Sequence, residues 1–165
     1  SEVWKAVGGA VVDTRGYTYD AAGNLLTASN AQGTYTRTYD EHQRLLTQTG
    51  LYGVGYTFTY DDRDLIDISD SLGGTTTFVH DDAGRVIQRA FTDGTTEMRL
   101  DLGYNARNER TLDERYADLA GLAFVGSTIR SNDAVGNLTG LHVKDDVGAT
   151  ISNYVNTFDA AHRIT

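Results

Sequence analysis

The 165-residue chain carries 23 acidic and 14 basic side chains, a formal net charge of −9, and neither cysteine nor proline. The absence of cysteine excludes a disulfide framework, a thiolate metal site and a cysteine nucleophile, and the acidic balance repels phosphate backbones, so nucleic acid is not an expected partner. The most apolar stretch, Leu119 to Ile129, is broken by Gly121, Gly126 and Ser127 and is too short to cross a bilayer as a helix, so no membrane span is expected.

Eighteen glycines, ten tyrosines and abundant threonine point to many short strands. Tyrosine and threonine favour a pleated surface, and glycine supplies the positive φ of tight turns. At this length one domain is expected to bury roughly two-thirds of the surface its unfolded chain exposes.

Along the chain, Tyr17-Thr-Tyr-Asp20-Ala-Ala-Gly23-Asn-Leu25 is answered by Thr38-Tyr39-Asp40-Glu-His-Gln43-Arg-Leu45, Thr59-Tyr60-Asp61-Asp-Arg-Asp64-Leu65 and Val79-His80-Asp81-Asp-Ala-Gly84-Arg-Val86. Looser copies follow at Gly103 to Arg110, Ser131 to Leu138 and Thr157 to Ile164. The leading Asp or Asn falls at 20, 40, 61, 81, 105, 133 and 159, so a period of 20 or 21 residues widens to between 24 and 28. Seven copies at such a period indicate stacked supersecondary units, none able to bury an apolar face alone.

Each motif predicts a hairpin. Aspartate opens a type I turn, and glycine three residues later takes the left-handed conformation of a bulge that returns the chain antiparallel. Gln43, Asp64, Asn108 and His162 stand at the glycine place, and Gln43 is the least suited to positive φ. The alternation of Tyr17 and Tyr19, and of Tyr56, Phe58 and Tyr60, with threonine predicts strands with one buried face. The tyrosine before each turn should meet the aliphatic residue after it: Leu25, Leu45, Leu65, Val86, Leu138 or Ile164. Gly73-Gly74 and Asp93-Gly94 read as two-residue hairpin signals at the opposite edge. Over Glu109 to Leu122, Leu112, Tyr116, Leu119 and Leu122 have helical spacing, against an extended reading favoured by the Thr-, Val- and Gly-containing continuation to Arg130.

This series of Tyr-Asp-x-x-Gly motifs, each followed by an aliphatic residue, resembles the Rhs or YD-repeat family over about Tyr17 to Ile164. Its members include bacterial polymorphic toxins, toxin-complex subunits and animal teneurins. The resemblance implies an all-β fold, tandem antiparallel β-hairpins forming a curved or spiralling sheet, part of a larger β-shell that in bacterial members encloses a toxic domain. It implies a secreted or cell-surface scaffold, with neighbouring repeats and the enclosed domain as partners, and more weakly a glycan. The paired Asp-Pro autoproteolytic motif of many bacterial members is absent, since the chain has no proline. Residues 1–165 are read as a single repeat array. The lack of an initiator methionine and a final residue inside a motif suggest an excerpt of a longer polypeptide, and open sheet edges offer a route to self-association.

Asp61, Asp62, Asp64, Asp67 and Asp70 do not have EF-hand spacing and read as turn carboxylates. Glu97, Glu109 and Glu114 are the carboxylates least bound to motifs, hence the candidates for a glycoside hydrolase. His42, His80, His142 and His162 are too scattered for a zinc site, and Ser127 and Ser131 lack a nucleophile elbow. Gly53-Val-Gly55 is followed by a strand pattern, not a phosphate-binding helix, and the Asn137-Leu-Thr139 sequon overlaps a turn. Tyr52, Tyr116 and Tyr154, away from the motif cores, are the candidates for a carbohydrate-binding surface. The reading is a non-enzymatic scaffold with no cofactor, no metal, no catalytic residue and no assigned ligand residue.

Overall fold

Strand-forming threonine and tyrosine, cut at short intervals by turn residues, produce fourteen strands and no helix. The computed structural model describes residues 1–165. The chain separates into two compact units, Ser1–Thr75 and Thr76–Thr165.

The first unit holds β1 (Glu2–Lys5), β2 (Val11–Tyr19), β3 (Leu25–Asn30), β4 (Gly33–Tyr39), β5 (Leu45–Thr49), β6 (Gly55–Tyr60) and β7 (Leu65–Asp70). Each strand pairs antiparallel with the next in the chain. Directly opposed residues share a face, and here the two faces differ in chemistry. One carries continuous cross-strand rows of hydroxyls, Thr18–Thr27–Thr36–Thr49 and Thr38–Thr47–Thr57–Ser69. Thr18 and Thr27, and likewise Thr38 and Thr47, hydrogen-bond through their hydroxyls at 2.6 Å. The other face carries Tyr17–Ala28–Tyr35, Arg37–Gln48–Tyr56 and Phe58–Ile68.

β8 (Thr75–His80) begins at the division and turns through residues 81–85 into β9 (Val86–Thr92). The second unit continues with β10 (Glu97–Tyr104), β11 (Arg110–Tyr116), β12 (Phe124–Asn132), β13 (Leu138–Lys144) and β14 (Thr150–Val155), and β9 to β14 pair antiparallel in chain order. The helical spacing over Glu109–Leu122 does not become a helix. β11 is paired on both sides, with β10 and with β12. Two ladders outweigh a weak local periodicity. The extended reading is the one realised.

Within each unit the sheet is a single layer, and the expected buried face is not found. Ala90 is the one buried apolar side chain, and no large side chain is fully buried. The alternation of tyrosine and threonine therefore separates two solvent-contacting faces, not a core from a surface. The chain exposes 10671 Å², about a third more than the roughly 8000 Å² of a compact domain of this mass, because without a second layer only cross-strand neighbours cover a side chain.

Candidate functional site: a ladder of aspartate turns

The repeated chemistry lies at one edge of each unit's sheet, in the turns that begin at residues 20 and 40 in the first unit and 81, 105, 133 and 159 in the second. At each, the leading N–H donates to the carbonyl four residues on, and the residue three on donates back to the leading carbonyl. That fourth residue has positive φ: Gly23 (90°), Gly84 (76°), Gly136 (95°), Gln43 (65°), Asn108 (63°) and His162 (59°). The left-handed place is thus kept even by Gln43, the least suited occupant. A register shift accompanies the turns, between Thr18 and Tyr19, Thr38 and Tyr39, Gly103 and Tyr104, and Ser131 and Asn132. Tyr19 faces Leu25, Tyr39 faces Leu45 and Tyr60 faces Leu65, as expected.

The turn at Asp61 corrects one assignment. It closes from the Asp61 N–H to the Asp64 carbonyl, one residue earlier than the others, and Asp64 lacks positive φ. Asp64 therefore does not replace the glycine; that position is deleted.

The leading side chain organises each turn. Oδ1 of Asp40 accepts the N–H groups of His42 (2.9 Å) and Arg44 (2.8 Å), and Oδ2 accepts Nε of Arg44 at 2.7 Å. Asp20 does the same with Ala22, Asn24 and the Asn24 amide, Asp81 with Ala83 and Arg85, Asp133 with Val135 and Asn137, and Asp159 with Ala161 and Arg163. At the fifth copy the donor and acceptor exchange places: Asn105 Nδ2 donates to Glu109 Oε2 at 2.6 Å. The carboxyls of Asp20, Asp81, Asp133 and Asp159 are held below the ordinary aspartate range, first by the side chain four residues on and then by backbone N–H donors. For Asp40, desolvation opposes the shift, and the N–H and guanidinium of Arg44 outweigh it.

Side chains then fasten one turn to the next. The hydroxyl of Tyr39 donates to the carbonyl of Leu25 (3.1 Å), Tyr60 to Leu45 (3.0 Å) and Tyr104 to Val86 (2.9 Å), each reaching back to the preceding repeat. Arginines reach forward. Arg44 lies over the ring of Tyr60 at 4.5 Å and donates to the carbonyl of Asp61 at 3.2 Å. Arg85 lies over Tyr104 at 5.0 Å and donates to Oδ1 of Asn108 at 2.9 Å. Arg107 donates to the carbonyls of Asp133 and Ala134, and the Asn137 amide meets Nδ1 of His162 at 3.0 Å. Where asparagine replaces tyrosine, at Asn132, the amide bonds within its own turn and the forward link from Arg107 spans the gap.

In each unit the opposite edge uses the same turn. Asp70-Ser-Leu-Gly73-Gly74 and Asp145-Asp-Val-Gly148-Ala149 have the paired backbone bonds and the aspartate cap. Gly73-Gly74 is accordingly the end of a five-residue turn and not a two-residue hairpin loop. At the other signal, Asp93 closes onto Thr96 with Gly94 at positive φ.

The other candidate residues do not converge. Asp61 and Asp64 sit in a turn, Asp67 within β7 and Asp70 at the far edge. Glu97 accepts the N–H of Leu119, Glu109 accepts Asn105 and Arg107, and Glu114 accepts the hydroxyl of Tyr116. Tyr116 packs edge-on against Phe124 (5.5 Å) under Arg99 and is not a free platform, whereas Tyr52 is 94% and Tyr154 59% exposed. Ser127 is buried, and Ser131 lies on the same strand. His42 is in a turn, His80 ends β8, and His142 bonds Thr150. Gly53 turns the chain at Gly50–Val54. The sequon nitrogen of Asn137 is engaged by Asp133 and His162.

Residues 19–54 match the RHS Repeat family model. The fold is similar to a chain in the crystal structure of TcdB2-TccC3-Cdc42, at 16% identity and a TM-score of 0.71 over 95% of this chain. It is likewise similar to TcdB2-TccC3 without its hypervariable C-terminal region (14%, 0.73, 95%) and to the Photorhabdus luminescens Tc holotoxin pore with a TccC3 mutation (14%, 0.76, 96%). The chain spans 10% of the length of each of these relatives, and at such identities the likeness is one of fold. No curated protein matches the chain by sequence. The resemblance carried by the Tyr-Asp motifs is borne out, as is the all-β architecture of antiparallel hairpins.

Proposed function

We propose that this chain of the RHS, or YD-repeat, family is a structural panel: a wall segment of a larger toxin-encapsulating or cell-contact β-shell, running as a single repeat array over residues 1–165 within a longer polypeptide. The observation that carries this reading is the turn ladder on a layer without a core, in which Tyr60 reaches back to Leu45 and Arg44 forward to Asp61. A domain that works alone hides one face of its sheet, whereas a repeat wall is held by each unit's interface with the next. The fold likeness to toxin-complex chains of much greater length supports the same reading. Its partners are then neighbouring repeats and an enclosed toxin domain, its place is outside the cell or on its surface, and its work is enclosure or contact without catalysis. Electron cryomicroscopy of the full-length protein tests this. The expected result is other repeats paired to the outer edges of β1 and β14 within the wall of a hollow shell; a separate module tethered by linkers would contradict it.

A second reading, glycan binding, is favoured by the exposure of Tyr52 and Tyr154 and by Tyr17 and Tyr35 standing on one face across Ala28. Aromatic faces stack on sugar rings. Saturable binding on a glycan array, lost in Tyr52→Ala or Tyr154→Ala, would establish it; a blank array would remove it. Pairing between free sheet edges of separate copies would appear as a discrete oligomer by light scattering.

A further inference from the structure

Most arginines of this acidic chain are paired with a carboxylate, and two of the unpaired ones stand on the same face of neighbouring strands. Lys5 and Lys144 account for two of the 14 basic residues, leaving twelve arginines, of which nine make ion pairs. Arg37 donates to the side-chain amide oxygen of Gln48, and Arg89 and Arg115 have no carboxylate. Arg89 on β9 and Arg115 on β11 both stand opposite Leu100 on the intervening β10, so the three share a face. They border a shallow hollow of about 800 Å³ whose floor is Phe91, Met98, Leu100 and Val125. Met98 is 52% and Val125 49% exposed.

The two guanidiniums splay away from this floor. Arg89 leans over the ring of Phe78 at 5.9 Å, and Arg115 donates to the hydroxyl of Thr128 on β12 at 2.8 Å. Their Cα atoms are two strand spacings apart, about 10 Å, and their charged ends stand above strands up to four spacings apart, about 19 Å. An extended peptide advances about 3.3 Å per residue and alternates its side chains between two faces, so carboxylates about four or six residues apart would lie on one face and reach both arginines while the alternate side chains between them cover the floor.

We propose that this hollow docks an extended polypeptide segment bearing bulky apolar side chains between two carboxylates. Charge complementarity selects that occupant. The arginines attract carboxylates, the floor needs apolar cover, and the nearby acidic groups make other contacts: Glu97 at the rim accepts the Leu119 N–H, Asp101 pairs with Arg99, and Asp113 is held by Arg110 and Arg130. The inference does not depend on the shell reading.

The test uses the whole 165-residue chain and a fluorescein-labelled octapeptide with glutamate at its second and sixth positions and Leu-Phe-Leu between them, which puts both glutamates and the phenylalanine on one face. Fluorescence anisotropy should give saturable binding that weakens with salt and is lost when both glutamates become lysine. Arg89→Glu combined with Arg115→Glu should weaken binding at least about tenfold, from two lost attractions and two new repulsions at partly exposed sites. The milder Arg89→Gln and Arg115→Gln should each weaken it a few-fold, with circular dichroism spectra unchanged. No binding, equal binding of the lysine peptide, or binding unaffected by these variants in folded protein would overturn the proposal. A chain that dimerises through the hollow, seen by light scattering and abolished by Met98→Asp, would overturn it in favour of a second copy as the occupant.

Discussion

The two units solve the same problem with different chemistry. In Ser1–Thr75 the repeats keep the shorter period, the strands below β2 are five to seven residues long, and one face is lined with hydroxyls. Links between repeats lie at the turn edge, through Tyr39, Tyr60 and Arg44. In Thr76–Thr165 the repeats lengthen, β9 to β13 run seven to nine residues, and ion pairs on the sheet itself, represented in the first unit by Arg15–Asp13 on β2, become more numerous. There Asp113 is buried between Arg110 and Arg130, and Arg99 clasps Asp101. Longer strands give side chains more partners across the ladder, so part of the fastening leaves the edge for the middle of the sheet.

The sharpest way to break this comparison is Asp113→Ala. Burial alone would raise the carboxyl, yet Arg130 and Arg110 hold it below the ordinary range. Its removal leaves two guanidiniums without their anion, and Arg130 Nη1 already lacks a partner. Breaking a buried pair that is partly open to water should cost about 2–3 kcal/mol, read as a lower urea midpoint, with the first unit's strands keeping their protection in hydrogen exchange.

Next in size is Tyr60→Phe, which deletes the bond to Leu45 while leaving a ring beneath Arg44. The expected loss is about 1 kcal/mol. Tyr19→Phe, at a more exposed tyrosine with no such bond, should move the midpoint within error. Gln43→Gly should act in the opposite direction. Relieving a non-glycine residue at positive φ, less the entropy glycine adds to the unfolded chain, gives a gain of about 0.5 kcal/mol.

The pH dependence is a shared signature of both units. The turn aspartates have folded pKa values below their unfolded ones, so their contribution is present above the unfolded value, near pH 3.9, and is lost as pH falls through the depressed folded values. Thermal melts should hold level from neutrality to about pH 5 and fall below about pH 4. In Asp20→Asn combined with Asp133→Asn that fall should be shallower.

Much of the fold was legible because the turns are local. Asp20 and Gly23 together specify a hairpin whatever surrounds them, and each recurrence sharpens the period. The Asp70 and Asp145 turns carry the same letters without the preceding tyrosine, which is why Gly73-Gly74 reads as a two-residue loop and the Asp145 turn goes unmarked. The arginine links were hidden for a different reason. Arg44 meets Tyr60 only because the next turn lies beside its own, a fact of register and not of spacing along the chain. Amphipathic alternation was seen, but sequence alone does not say whether a second layer covers the apolar side. The hollow between Arg89 and Arg115 was equally out of reach, since it depends on which cations lack a carboxylate after folding.

The central claim is that the repeats are stabilised through one another at the turn edge. Hydrogen exchange by mass spectrometry on the wild-type chain and Tyr60→Phe tests it most directly. The account predicts slow, jointly opening amides in β4 to β7, with protection in β4 and β5 falling together with that in β6 and β7 when the Tyr60 hydroxyl is removed. Protection that falls only within the β6–β7 hairpin, or does not fall at all, would contradict it.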